Sequence, residues 1–266
     1  MSGIAGIYYV NHRPVAREQL SRMITRQKHR GPDTQRYWTS KCRSVGFGHC
    51  MLQTTHESLH ETLPYTDPES GNTVVSDARI DNRADLFSAL RIQSGSDGVI
   101  PDSVLILHAY RRWGDDCVDH LLGDFAFAIW DSRNRKLFCA RDHFGVRPLF
   151  YVMKPGRFFA FASEIKALLA LDDVSKKLNG VRIADYLAGL YDDKEITEYK
   201  GIRRLSPAHT GTVISGSSLK TRKYWCLEQG ETIQLRDDRD YAERFRELFS
   251  QAVRCRLRSK DPVATE

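Results

Sequence analysis

Apolar positions recur along this chain at two periods, and the switch between them marks the elements. Residues 3–10 are small, β-branched or aromatic and predict a strand that begins almost at the amino terminus. Arg13-Pro14 punctuates it, and Leu20, Met23, Ile24 and Gln27 then follow a spacing of three and four, which predicts a helix. That helix must end before Gly31-Pro32, since proline cannot continue the hydrogen-bond ladder. Residues 45–49 and 73–80 predict further strands. Pro101-Asp102 opens a second helix through Val104, Leu107, Ala109 and Tyr110, with Asp102 as a first-turn acid and Gly114 as the stop. Residues 125–130 and 136–140 flank a polar loop and predict a hairpin. Strands at 149–152 and 158–161 and a helix at 163–171 complete this region. Consecutive strands on short loops imply antiparallel pairing with helices on the faces, an α+β layered architecture rather than a doubly wound sheet.

Near the end the pattern changes. Tyr241, Phe245, Leu248, Phe249, Ala252, Val253 and Leu257 form a one-sided helical stripe, and Asp261-Pro262-Val263-Ala264 reads as the opening of a strand. The expected division is a domain over 1–218, a polar linker over 219–240, and the start of a second, truncated domain over 241–266.

Composition narrows the class. Over 266 residues, 41% hydrophobic and 28% charged positions describe a globular chain with a real core. No run approaches the roughly 20 apolar residues of a membrane span, and the first residues lack a secretory pattern, so a cytoplasmic protein is expected. Cys42, Cys50, Cys117, Cys139, Cys226 and Cys255 are scattered, with no CxxC pair, and read as reduced thiols. The net charge of +6 is mild. Arg254, Arg256, Arg258 and Lys260 read as a solvated helix face or a contact to protein outside the chain, not as a nucleic-acid stripe.

Six segments, in order, resemble one family: MSGIAGI at 1–7, HRGPD at 29–33, GDFAFAIWD at 123–131, ARDHFGVRPL at 140–149, SEIKAL at 163–168 and RLSPAH at 204–209. Together they are similar to the class II glutamine amidotransferase domain of asparagine synthetases. The resemblance implies the N-terminal-nucleophile hydrolase fold, a four-layer αββα sandwich of two antiparallel sheets. It also implies a following synthetase domain as partner, with ATP and Mg²⁺ bound there. No cofactor or metal is expected within these residues, because no SGGxDS-like run is present.

The departures from the family pattern decide the functional expectation. The family's nucleophile is a cysteine that follows the removed Met; here Ser2 stands there, and an alcohol is far harder to ionise than a thiol of pKa about 8.5. The family's oxyanion-holding Asn and Gly and its amine-gripping acid match Asp77, Ala78 and Arg79. An ionised Asp77 would repel a developing oxyanion, and Arg79 would repel an ammonium. The family's carboxylate-binding Arg matches Met51, which has no charge. Only the acid matched by Asp102 survives. These changes predict a domain that does not hydrolyse glutamine. Relatives of that kind, β-lactam synthetases and lasso-peptide cyclases, close amides on an amine already in their substrate. The MSGIAG start and the DARIDN segment at 77–82 resemble the lasso-cyclase type most, which implies a peptide substrate and leaves room for a homodimer partner. Two alternatives stay open: a glutamine-hydrolysing asparagine synthetase with Ser2 as nucleophile, and a non-catalytic module binding a peptide or partner in the vacated pocket.

Other signals read as structural. HESLH at 56–60 fits the zinc-protease pattern, but Thr62-Leu63-Pro64 leaves little room for its helix, so a loop or short turn is expected. His29, Arg30 and Asp33 are expected to brace the Gly31-Pro32 turn. Arg141, Asp142 and Arg147 are expected to fix a loop through buried ion pairs.

Overall fold

The computed structural model describes all residues except 93–98, 191, 216, 229, 231 and 265–266. In chain order its strands are β1 (Gly3–Tyr8), β2 (Thr34–Thr39), β3 (Val45–Met51), β4 (Tyr65–Thr66), β5 (Thr73–Ile80), β6 (Gly123–Asp131), β7 (Lys136–Arg141), β8 (Phe150–Lys154), β9 (Phe158–Ala162), β10 (Arg203–Arg204), β11 (His209–Ile214) and β12 (Lys220–Lys223). The α-helices are α1 (Arg17–Thr25), α2 (Arg83–Ala89), α3 (Asp102–Trp113), α4 (Ile165–Leu168), α5 (Gly180–Leu187) and α6 (Asp238–Arg256). The strands form two six-stranded sheets, ordered β10-β8-β9-β1-β3-β2 and β12-β11-β7-β6-β5-β4. Every described pairing is antiparallel, as the short connections predict.

Three apolar layers explain the four-layer stack. Between the sheets lie Ile4, Tyr8, Phe47, Ala126, Ala128, Trp130 and Phe161. Outside the first sheet, Ala5, Ile7 and Ala160 pack on Leu20, Met23 and Ile24 of α1. Outside the second, Phe125, Phe127 and Ile129 pack on Ile106, Leu107 and Tyr110 of α3. Successive residues of β1 and β6 thus enter opposite layers, the period of two expected of a strand, and both faces are buried, so these strands read as nearly continuous apolar runs. Gly6 is required by this packing: a Cβ there would lie 2.4 Å from the Phe161 ring.

Several expectations change. The helix expected at 163–171 is regular only over Ile165–Leu168, because Ser163 is held extended by β1: its backbone N–H donates to the Ile4 carbonyl at 2.9 Å and its hydroxyl accepts from the Ile4 N–H at 3.0 Å. The linker expected at 219–240 begins too early, since β12 pairs with β11 and extends the second sheet. The strand opening expected at 261–264 is irregular, and 265–266 lie outside the described residues. Helix α6 forms with Asp237 as N-cap, its side chain accepting from the Arg239 and Asp240 N–H groups. Its apolar stripe is uncovered, with Phe245 69% and Phe249 59% exposed. No described helix is long and apolar enough to cross a membrane.

Candidate active site

Ser2 precedes the central strand of the first sheet, and Met51 ends β3 beside it, in the ladder that pairs Gly3 with Cys50. From the second sheet, β5 brings Asp77, Ala78 and Arg79 to the same place, and α3 begins there with Asp102. All six residues singled out in the sequence line one cavity of about 230 Å³, together with Thr54, Ser58, Glu61 and Arg147. The tertiary structure therefore assembles the expected set.

At the Ser2 end the contacts are those of a sealed polar knot. The Ser2 hydroxyl accepts from the Leu52 N–H at 3.0 Å and lies 3.9 Å from the Met51 sulfur, so neither described partner is a base. The Ser2 N–H donates to Asp77 Oδ1 at 3.1 Å. Asp77 is 4% exposed. Two guanidiniums hold its carboxylate: Arg30 at 3.3 Å and Arg147 at 3.6 Å. Burial pushes the Asp77 carboxyl up, against the pull of Arg147 and Arg30. Arg30 also donates from Nε to the Ser2 carbonyl at 2.9 Å.

At the other end, Asp102 accepts the Ile80 N–H at 3.0 Å and pairs with two more guanidiniums, Arg83 and Arg258, the latter at 2.6 Å. Arg79 turns away from the cavity centre: it bonds Asp81 at 3.3 Å and the Cys255 carbonyl at 2.6 Å. Glu61 accepts from the Ser103 N–H at 3.2 Å, and burial, with Asp102 adding to it, pushes its carboxyl up to about 7. Beneath the site, His49 is buried and held near pKa 4 by desolvation; as a neutral ring it donates Nε2–H to the Ser76 carbonyl at 3.0 Å, tying β3 to β5.

The other sequence signals are placed as follows. HESLH forms one 3₁₀ turn, Glu57–His60, and Glu57 pairs with Arg83 and Arg258. Arg30 does more than brace its turn, since it reaches the Ser2 and Asp77 groups. Gly31 permits this, because a Cβ there would lie 2.3 Å from the Cys50 backbone. His29 contacts Glu164 at 2.8 Å, and Asp33 accepts from the Gln53 N–H at 2.7 Å. The loop after β7 is fixed mainly through backbone groups, and of the three residues expected to form ion pairs only Arg147 makes a described one, with Asp77. Arg141 donates to the carbonyls of Gly145, Arg147 and Leu205, while Asp142 accepts the N–H groups of Phe125, Phe144, Val146 and Arg147. Arg256 and Arg258, expected on a solvated or externally paired face, instead pair with acids of this domain. The six cysteines are free thiols.

The sequence model of the glutamine amidotransferase domain matches residues 1–225. The chain belongs to that family. It is 34% identical to asparagine synthetase [glutamine-hydrolyzing] 3 of Bacillus subtilis, a match covering 100% of this chain and 43% of that protein. It is 28% identical to a putative asparagine synthetase [glutamine-hydrolyzing] 2 of Methanocaldococcus jannaschii, covering 99% and 53%, and 28% identical to the amidase chry2 of Gibberella zeae, covering 93% and 36%. The chain thus spans about half or less of the length of these relatives. Among solved structures, glutamine phosphoribosylpyrophosphate amidotransferase of B. subtilis superposes with a TM-score of 0.59 at 16% identity, over 84% of this chain and 49% of that one. That likeness confirms the αββα fold.

Within this glutamine amidotransferase domain, the sequence missed Glu61 and Arg147 as pocket residues, and Arg83 and Arg258 as partners of Asp102. Arg147 and Arg258 stand out locally only as a loop brace and as one of a basic group, and nothing local points Glu61 or Arg83 to this site. The acidic partners that place Arg147 and Arg258 are far away in sequence, and only the sheet packing brings them in.

Proposed function

We propose that this domain has lost glutamine hydrolysis and serves as the scaffold of an ATP-dependent, asparagine-synthetase-like ligase that forms an amide on an amine supplied by its own substrate. The observation that carries this reading is the carboxylate oxygen of Asp77, 3.1 Å from the Ser2 nitrogen. Were Met1 removed, that nitrogen would become a terminal amine facing a carboxylate, which favours the protonated ammonium and withholds the base an N-terminal nucleophile requires. The same Asp77 stands where the family resemblance sets an oxyanion donor, and loss of one such donor costs about 10²–10³ in rate. Met51 offers no charge to a substrate carboxylate, and the Asp102 carboxylate is already paired with Arg83 and Arg258. Each element that would hold glutamine is replaced or occupied.

A peptide macrolactam as product is supported by the likeness of the 1–6 and 77–82 segments to lasso-peptide cyclases. ATP and Mg²⁺ would then act in a synthetase domain outside these residues. The test is glutamate release from glutamine by the purified chain, beside Ser2→Ala and Ser2→Cys, with Met1 removal checked by intact mass. The expected result is no release above the Ser2→Ala background in any of the three. Release by the wild type that Ser2→Ala abolishes would overturn the reading.

A further inference from the structure

Strand β2 is an outer edge of the first sheet, because among the described residues its one ladder is to β3. The Ser40 N–H donates to the Val45 carbonyl at 2.9 Å, which fixes the parity of that ladder. Arg36 and Trp38 turn their backbone groups to β3, and Gln35, Tyr37 and Thr39 turn theirs outward. No described residue bonds to these outward groups. A groove of about 650 Å³ runs along them, with α1 on one side and Thr62 and Pro64, which precede β4, on the other. Its lining holds three exposed arginines, Arg17, Arg36 and Arg43, and no carboxylate. Among the described residues none of the three has an acidic partner; Arg17 lies over the Tyr37 ring, 5.9 Å from its centroid. Tyr37 packs toward α1 and Trp38 packs between the sheets, so Arg17 and Arg36 stand on opposite faces of the edge.

We infer that the β2 edge is a docking site for an acidic segment of another polypeptide, which adds to the first sheet as a further strand and sets carboxylates against Arg17, Arg36 and Arg43. The chemistry of the edge selects that occupant. An open strand edge presents alternating donors and acceptors, which another extended backbone matches in kind. Phosphodiester groups only accept, so a nucleic-acid backbone would leave the outward carbonyls of Gln35, Tyr37 and Thr39 unmet. A second copy of this chain would bring the same arginines face to face, so the charge that draws an acidic strand keeps the edge from pairing with itself. The stretch 35–39, at about 3.3 Å per residue, gives room for a strand of about five residues. The groove shares no lining residue with the Ser2 cavity, so this docking and the loss of glutamine hydrolysis fail separately.

The test uses the 266-residue chain and a fluorescein-labelled peptide EVEEVEEV, with a version carrying lysine for glutamate as control. Binding is read by fluorescence anisotropy and located by amide hydrogen exchange. The acidic peptide should bind and the lysine version should not, and exchange at the Gln35, Tyr37 and Thr39 amides should slow about tenfold at saturation. The combined variant Arg17→Ala, Arg36→Ala, Arg43→Ala should keep the wild-type Tm and bind about tenfold more weakly, since exposed pairs each contribute modestly. Peptides N-methylated at odd or at even positions should separate. One set should bind at least about tenfold more weakly, because its N–H groups face β2; the other should stay within about twofold. No binding, equal loss from both N-methylated sets, or binding that leaves the three amides unprotected would overturn strand addition. Displacement of the peptide from these amides by an oligothymidylate of equal charge would overturn it in favour of a polyanion surface. Protection of the same amides in the free chain that grows with its concentration would overturn it in favour of a contact between copies.

Discussion

Asp77 and Asp142 are both buried aspartates on the second sheet, yet they are satisfied in opposite ways. Asp142 follows β7 and is met by four backbone N–H groups at 2.9–3.3 Å, three of them from residues 144–147. Asp77 sits within β5 and is met by one backbone N–H and two guanidiniums, Arg30 and Arg147. Backbone donors in a tight loop are fixed by the local chain path, so the carboxylate and loop specify each other. Guanidiniums on long side chains are adjustable partners that accept a new anion with little rearrangement. The first arrangement is a brace set by the chain path; the second is a carboxylate held by partners that can move.

Asp142→Ala should destabilise the chain by about 3–5 kcal/mol, since it strands buried N–H groups around a turn, and urea unfolding would measure it. Asp77→Asn should cost less, about 1–3 kcal/mol, because the Asn keeps a carbonyl oxygen as acceptor and Arg30 keeps the Ser2 carbonyl. If Asp77→Asn proved the more damaging of the two, the distinction between a fixed brace and an adjustable pairing would fail.

A smaller effect sharpens the same contrast. Glu61 lines the pocket with a carboxyl pushed up to about 7, so the native state favours its neutral form. A folded-state value raised above the ordinary carboxylate range contributes stability that is complete below about pH 4.5 and is lost as pH rises through 7. Glu61→Gln mimics the neutral form. It should leave the Tm unchanged near pH 4 and raise stability at pH 8 by about 1 kcal/mol. A variant less stable than the wild type at pH 8 would show that the ionised carboxylate is held by a partner.

Much of the first layer of description was legible in the sequence, because it depends on local rules. The apolar runs of β1, β5, β6 and β7, the stop at Gly114 and the hairpin around residues 131–135 are set by residues next to one another. The six family segments are contiguous strings, and five of them frame the fold or the loop around Asp142. Less legible were β2, an edge strand with polar outward positions, and β12, whose charged sequence reads as linker until β11 pairs with it.

The layered fold, the family and the identity of six pocket positions follow from period or from contiguous matches along the chain. What surrounds those positions comes from the packing of distant segments. Arg30, Arg147, Arg83 and Arg258 come from four separate segments. Arg30 and Arg147 lie in family segments but carry no local sign of their partner, and each of the four acquires its role because a buried carboxylate must be neutralised by whatever cation the packing brings within reach. Pairing of buried charges is a property of proximity in space, which no local pattern encodes.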